Sequence, residues 1–500
     1  MNHRFRRSSI AEPDRRIPLL SITFLAILFL PCLPPVFGAH GKCWEERSTF
    51  LRWEIARILT LPTVRTPLDS VVHRTRCEPD YSIESITFAS EPGSRVTALL
   101  YLPRNATHPV PAVILACGHG GSKSCFYAQY AGQLYSKGGF ACLVVDTIGE
   151  EEREAEGRLG ARGHDLYKIG DKVPQYVHTV IKRMILGKIV WDLIRGIDYL
   201  ETRAEIEKSR IGIVGYSLGG TSAGCVAVLD KRIRAAILCG WVFSARYGEV
   251  GKYCTRMAYS AFNRILLHEE MTALLAPHAA TLFFCGTEDD VIDPQEHGAA
   301  VVRDLQRNIE GAQSILHAAG VSGAIEAELV PGAGHRPFFL SRRAVLWMQE
   351  HLVNPRDRRP VPEAVIPFGK WVDSQGKQIE KLYNTERNER GLEAVDCGAV
   401  LFDPRELACF PDSVKPDPIY TMEGWIQSAT QAAKEQHLPS HLRRWLIEPQ
   451  IWIRDSTEPI LRLGEKGAFD EMHLFAPAVA WERDQYTMLY CGSGGKVEER

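Results

Sequence analysis

RIGIVGYSLGGTS, residues 210–222, runs from an arginine through apolar residues and then sets Ser217 between Gly215 and Gly219. The β-branched run before the serine reads as a strand, and LGGTSAGCVAVL after it reads as a helix. Ser217 therefore falls on a strand-to-helix turn. A serine on so sharp a turn projects its hydroxyl above the sheet edge, and glycines two residues to either side let strand and helix approach closely. The competing reading is a polar residue in an ordinary strand–helix connection. The five-residue pattern alone does not separate the two, because a chain with 41 glycines meets it by chance.

A serine hydroxyl is a poor nucleophile until a base takes its proton, so a nucleophilic Ser217 requires a histidine and an acid to orient it. Both occur downstream. TLFFCGTEDDVIDP ends an apolar strand in carboxylates, and Asp289 stands where a strand-end acid faces the site; Asp290 and Asp293 are its rivals, read otherwise as loop or helix-cap residues. LVPGAGHRPFF then ends the next strand with His335 in a glycine-containing loop. His297 and His351 compete with it but lie in helical stretches. An acyl-transfer site also needs N–H donors for the developing oxyanion. The backbone N–H of Leu218 is the first, and the second comes from the glycine turn ACGHGGSK, at His119 or Gly120, with His119 preferred. The alternative for that turn is simple flexibility.

Working outward, short apolar runs recur from about residue 80: IESITFAS, RVTALLYLP, PAVILACG, FACLVVDTIG, RIGIVGYS, IRAAILCGW, ATLFFCGTE and AIEAELVPG. These read as eight strands. Helical patterns separate most of the later ones, as where Ile185, Ile189, Leu193 and Ile197 recur at helix spacing. Such alternation predicts an α/β fold with a mostly parallel, doubly wound sheet. The first two strands lack a helix between them and are expected to form an antiparallel hairpin at the edge. The segment from Ser244 to Pro277 is long enough to arch over the carboxyl ends of the strands, and Trp241, which follows a strand end, is a candidate substrate-binding aromatic. The Pro- and Arg-rich VNPRDRRPVPEAVIP suggests that the catalytic domain spans 39–355, a linker 356–372 and a C-terminal extension 373–500.

The first forty residues read as an export signal: arginines at 4, 6, 7, 15 and 16, then PLLSITFLAILFL, then small residues, with cleavage expected near Gly38. The apolar core is shorter than the ~20 residues that span a bilayer, which leaves a signal-anchor as the alternative. The expectation is a secreted or periplasmic protein without membrane contact once the signal is removed. A net charge of −2 gives no electrostatic footprint for nucleic acid. Of 13 cysteines, Cys117, Cys142, Cys225, Cys239 and Cys285 sit in apolar runs and are expected to be buried thiols; Cys43 with Cys77 and Cys397 with Cys409 are the disulfide pairs to test. Asn105 opens an N-A-T sequon.

CGHGGSK, YAGQLYSKGGFACLVVDTIGEEERE, GYSLGG, GTEDDVIDP and GAGH, in that order, resemble the α/β-hydrolase superfamily, and more narrowly its acetyl xylan esterase and dienelactone-hydrolase-like branch, over residues 80–352. The resemblance implies a Ser217, Asp289, His335 triad acting on small-molecule or carbohydrate esters with no metal or organic cofactor. It also implies that CGH takes the place of a His-Gly-X oxyanion turn, with Cys117 where the histidine usually stands. The terminal FDEMHLFAPAVAWERDQYTMLYCGSGGKVEER resembles one blade of a five-bladed glycosidase-type propeller, which would make Asp470 and Glu471 candidate carboxylates; as a lone blade they read better as solvated turn residues. Two further functions remain open on the sequence: a prolyl-oligopeptidase-type peptidase, which shares fold and residue order, and a catalytically inactive carbohydrate-binding protein.

Overall fold

The computed structural model describes residues 40–104, 106–156, 175–240, 262–263, 265–367, 372–373, 392–411, 415–435, 473–482 and 485–493. The expected export segment, Asn105, Trp241, Asp470, Glu471 and the first part of the 244–277 segment lie outside the described residues. Nine strands form the central sheet: β1 Val71–Cys77, β2 Tyr81–Glu91, β3 Ser94–Pro103, β4 Val110–Ala116, β5 Ala141–Val145, β6 Ile206–Tyr216, β7 Ile233–Cys239, β8 Ala280–Gly286 and β9 Ile325–Val330, in the order β1-β2-β3-β5-β4-β6-β7-β8-β9. From β5 onward every pairing is parallel, whereas β1, β2 and β3 run antiparallel. All eight expected strands are present and β2–β3 is the expected antiparallel hairpin, but it does not form the edge, which β1 occupies. The ninth, β1 (VVHRTRC), is a one-sided edge strand whose residues are nearly all exposed, so it lacks the apolar alternation that marks a half-buried strand.

Seven helices matter here: α1 His40–Ile58, α2 Phe126–Lys137, α3 Gln175–Thr202, α4 Leu218–Leu229, α5 Ala299–Ala318, α6 Arg342–Leu352 and α7 Met422–Glu435. Alternate strand residues feed two separate cores. Ile114, Leu143 and Ile213 pack with α1, α3, α4 and α5; Leu115, Cys142 and Val214 pack with α2 and α6 on the opposite face. No described helix is long and apolar enough to cross a membrane.

The second compact unit does not begin where the Pro- and Arg-rich stretch suggested: the first runs to Ala432 and the second from Ala433. Val395, Leu401, Phe402 and Leu407, beyond the expected linker, belong to the core under α2. Two buried glutamines one helical turn apart hold this C-terminal arm. The Gln129 carboxamide donates to the Phe402 carbonyl (3.0 Å) and accepts from its N–H (2.8 Å), and Gln133 does the same at Val400 (2.6 and 3.0 Å). Val400 and Leu401 also pair with Val372 and Asp373 in a two-residue parallel ladder, and side-chain clamps of this kind leave no compositional sign. In the second unit His473–Glu482 and Gln485–Ser493 form an antiparallel hairpin. Cys77, Cys397 and Cys409 are free thiols, so neither disulfide pair singled out for testing is present.

Candidate active site

β4 lies between β5 and β6, so the chain leaves β4 toward one side of the sheet and returns to β6 on the other. The crevice outside the carboxyl ends of β4 and β6 is the switch point at which open α/β sheets bind ligands. Ser217 stands there, between β6 and α4, with φ 60° and ψ −120°. An L-residue rarely adopts this backbone, and it is held from several sides. The Ser217 N–H donates to the Cys239 carbonyl of β7 (2.9 Å), and its carbonyl accepts from Thr221 N–H (3.1 Å). A Cβ at Gly215 would fall 2.1 Å from the Gly219 carbonyl oxygen, and one at Gly219 would fall 2.0 Å from the Ala116 carbonyl oxygen. The two glycines of the motif thus permit the elbow to close against β4.

His335 lies in the loop after β9 and Asp289 in the loop after β8. The His335 Nδ1 is 2.7 Å from Asp289 Oδ2, and both residues are buried. The other Asp289 oxygen accepts the Ile292 N–H (3.1 Å). Asp293 is occupied elsewhere: its oxygens accept N–H groups from Glu296 (3.2 Å) and Ala300 (3.0 Å), capping the start of α5. His297 is exposed, and the His351 ring packs on Trp347 at 4.2 Å. The imidazole of His335 is braced by the Tyr216 ring at 4.8 Å, and its carbonyl accepts from the Tyr216 hydroxyl (3.1 Å) and the Arg336 guanidinium (2.6 Å). Gly240, the residue after β7, has φ +56°, and a Cβ there would stand 2.8 Å from His335 Nδ1. The ring therefore lies against the strand end next to the one that carries Ser217. Its Nε2 is buried and makes no hydrogen bond among the described residues, which leaves the distal nitrogen for another group.

Leu218 opens α4, so its N–H has no acceptor one turn back within the helix. Opposite it, the turn after β4 is tightly wound. Gly118 N–H donates to the Tyr127 hydroxyl (2.8 Å), Gly121 N–H donates to the Gly118 carbonyl (2.9 Å), and a Cβ at Gly118 would touch Tyr216 and Ser217. Gly120 has φ +71°, and the adjacent His119 is exposed.

Beneath this turn lies a buried charge cluster that sequence reasoning missed. Lys123 Nζ reaches Asp146 (3.1 Å), Glu151 (3.0 Å) and Glu152 (2.8 Å). Arg153 pairs with Asp192 (2.9 Å), and Lys188 with Asp192 (2.8 Å) and Glu91 (2.7 Å). Burial alone would lower the Lys123 pKa, but the surrounding carboxylates raise it well above the ordinary lysine value. Burial pushes the Asp146 carboxyl up to about 7 in spite of Lys123, and Glu151, also buried, is held below its usual range by Lys123 and by the hydroxyls of Ser122 and Ser124. In the sequence its Glu151 and Glu152 stand in the charged run EEERE, residues 150–154, separated from the end of β5 by four residues, and that run by itself reads as solvated surface. Among the described residues no group of His, Cys, Asp or Glu side chains is arranged to hold a metal ion.

Fold and site together define the class: an α/β-hydrolase with a serine on the strand–helix elbow and a histidine–aspartate pair at the neighbouring strand ends. Residues 67–271 match the family model described as acetyl xylan esterase (AXE1), so the likeness read from the motifs holds over β1 to β7, Ser217 included. YtaP of Bacillus subtilis (strain 168), a protein named as a hydrolase, is 26% identical over 198 residues, which are 38% of this chain and 64% of that protein. Among solved structures, methylesterase BT1017 aligns with a TM-score of 0.47 at 17% identity, over 78% of this chain and 72% of that one. An acetyl xylan esterase from Paenibacillus sp. R4 aligns with a TM-score of 0.42 at 17% identity, over 67% and 100%.

Proposed function

We propose that the protein is an exported serine esterase that removes acyl groups, acetyl among them, from carbohydrate or other small esters. The observation that carries this reading is the 2.7 Å Asp289–His335 hydrogen bond at the sheet edge where the Ser217 elbow stands. In this scheme the Ser217 oxygen attacks the acyl carbon while His335 Nε2 takes the hydroxyl proton, and the imidazolium then protonates the departing alcohol. Asp289 holds the proton of Nδ1 in place, so that Nε2 is the basic nitrogen. Water, deprotonated by the same nitrogen, releases the acid and restores the serine. The N–H groups of Leu218 and His119 receive the negative charge on the tetrahedral oxygen. The match to the acetyl xylan esterase family supports a carbohydrate ester as substrate, and the N-terminal sequence supports a secreted or periplasmic location.

The test is hydrolysis of an aryl acetate, of acetylated polysaccharide and of a proline-containing peptide by the whole chain and by Ser217→Ala. Ester cleavage that disappears in the variant, with the peptide untouched, is the expected result. Peptide cleavage would favour the peptidase reading, and ester turnover surviving in Ser217→Ala would overturn the assignment of the nucleophile.

A further inference from the structure

The turn Cys117–Cys125, which carries the second oxyanion donor of the scheme above, is not held by its own hydrogen bonds alone. The Ser122 hydroxyl donates to Glu151 at 2.5 Å and the Ser124 hydroxyl to the same oxygen. Between them, Lys123 lies fully buried with its ammonium on Asp146, Glu151 and Glu152, and its N–H donates to Asp146 (3.2 Å). Each partner is anchored in turn. The second oxygen of Asp146 accepts the Thr97 hydroxyl of β3 (2.9 Å), and Glu152 accepts the N–H groups of Cys409 (3.1 Å) and Phe410 (2.8 Å) from the C-terminal arm. Glu151, at φ +44°, adopts a backbone that a glutamate rarely takes. Strained backbone and complete desolvation both oppose this arrangement, and a buried ion cluster contributes little stability beyond what a well-packed apolar one gives. What such a cluster does provide is a single geometry.

The geometry points to Lys123 as a positioning residue for ester hydrolysis: by gripping Asp146, Glu151 and Glu152 it fixes the 117–125 turn so that the His119 N–H meets the oxyanion. The inference rests on the serine-esterase reading and touches no reacting atom directly. Lys188 is the natural control, because it is equally buried and ion-paired but its own partners, Ser90, Glu91 and Asp192, are outside residues 117–125 and it joins the cluster through the Asp192–Arg153 pair, one step removed from Lys123.

The experiment measures kcat and KM for an aryl acetate on the full chain, with active sites counted by the end point of phosphonylation by an aryl phosphonate. Lys123→Met is expected to lose about 10- to 100-fold in kcat per counted site with KM within about 3-fold, since a displaced donor costs transition-state stabilisation and leaves ground-state binding alone. Lys123→Arg should recover part of the loss. Lys188→Met should lower the thermal midpoint and leave kcat per site as in the parent. If Lys123→Met does not fold, Ser124→Ala decides, with an expected fall of about 3- to 10-fold in kcat from one lost charge-assisted hydrogen bond. Parental kcat per site in Lys123→Met, or in Ser124→Ala where that variant decides, overturns the positioning role, as does an equal loss in Lys188→Met. A parent that is not phosphonylated on Ser217 is a different failure: it removes the esterase reading itself, and this inference with it.

Discussion

Two loops meet at the carboxyl end of the sheet and are held by opposite means. The Ser217 elbow stands on backbone: glycines at 215 and 219 let carbonyl groups pack where side chains would otherwise sit, and the nearby Asp289 is engaged by His335. The Cys117–Cys125 turn stands on charge, with a buried Lys123 gripping three buried acids. Backbone packing fixes a hydroxyl in one place with little dependence on pH. A charge cluster fixes a turn just as firmly, but each of its members can exchange a proton, so its geometry is tied to solution conditions in a way the elbow's is not.

The largest expected effect tests the elbow side. Asp289→Asn preserves the shape of the loop but not the tautomer of His335, and kcat should fall by about 10³- to 10⁴-fold. Asp293→Asn, which weakens the capping of α5, should cost about 1 kcal/mol of stability and leave kcat unchanged. Steady-state kinetics beside thermal melts of the two variants check this, and equal rate losses would mean that the wrong acid has been assigned.

Next in size is Gly219→Ala. Its methyl would meet the Ala116 carbonyl at 2.0 Å, and backbone atoms cannot swing aside as the end of a flexible side chain can. A loss of about 3 kcal/mol in denaturant unfolding is expected, typical of overpacking at a tight contact. An unchanged midpoint would show that the elbow has more slack than its contacts imply.

The same contrast explains what could be read from the chain. Ser217, Asp289 and His335 were legible because each follows a strand whose apolar run is unmistakable, and because the glycines that the elbow needs lie within two residues of the serine. Asp289 was separable from Asp293 only through its partner: one faces His335, the other the amides of α5. The eight strands were legible for the same local reason, whereas β1 was not, since an edge strand with a charged and exposed face carries no alternation. The charge cluster was invisible because Lys123, Glu151 and Cys409 are brought together by three different connections. A lysine and a run of glutamates read separately as solvated surface. The arm behind α2 was hidden in the same way: Gln129 and Gln133 give no hint in sequence that they pair with Phe402 and Val400.

The smallest effect probes the charged side of the comparison by its pH dependence. In the folded chain Asp146 keeps its proton up to about 7, whereas an unfolded aspartate releases it near 3.8. Between those values the folded state binds more protons than the unfolded state, so this group's contribution to stability is full at low pH and declines as pH rises through the window. Glu151 has the opposite sign: its depressed pKa gives stability that is present above the usual glutamate range and lost as pH falls. The two contributions therefore act in different intervals. Between about pH 4 and 7 the thermal midpoint of the parent should fall relative to that of Asp146→Asn, which has no proton to lose there. Gly219→Ala keeps every titrating group of the parent, so it should show the same offset from the parent across the whole interval. A parent-minus-Asp146→Asn difference that stays flat from pH 4 to 8 would mean that the carboxyl is already ionised when buried, and that Lys123 outweighs desolvation at the base of the turn.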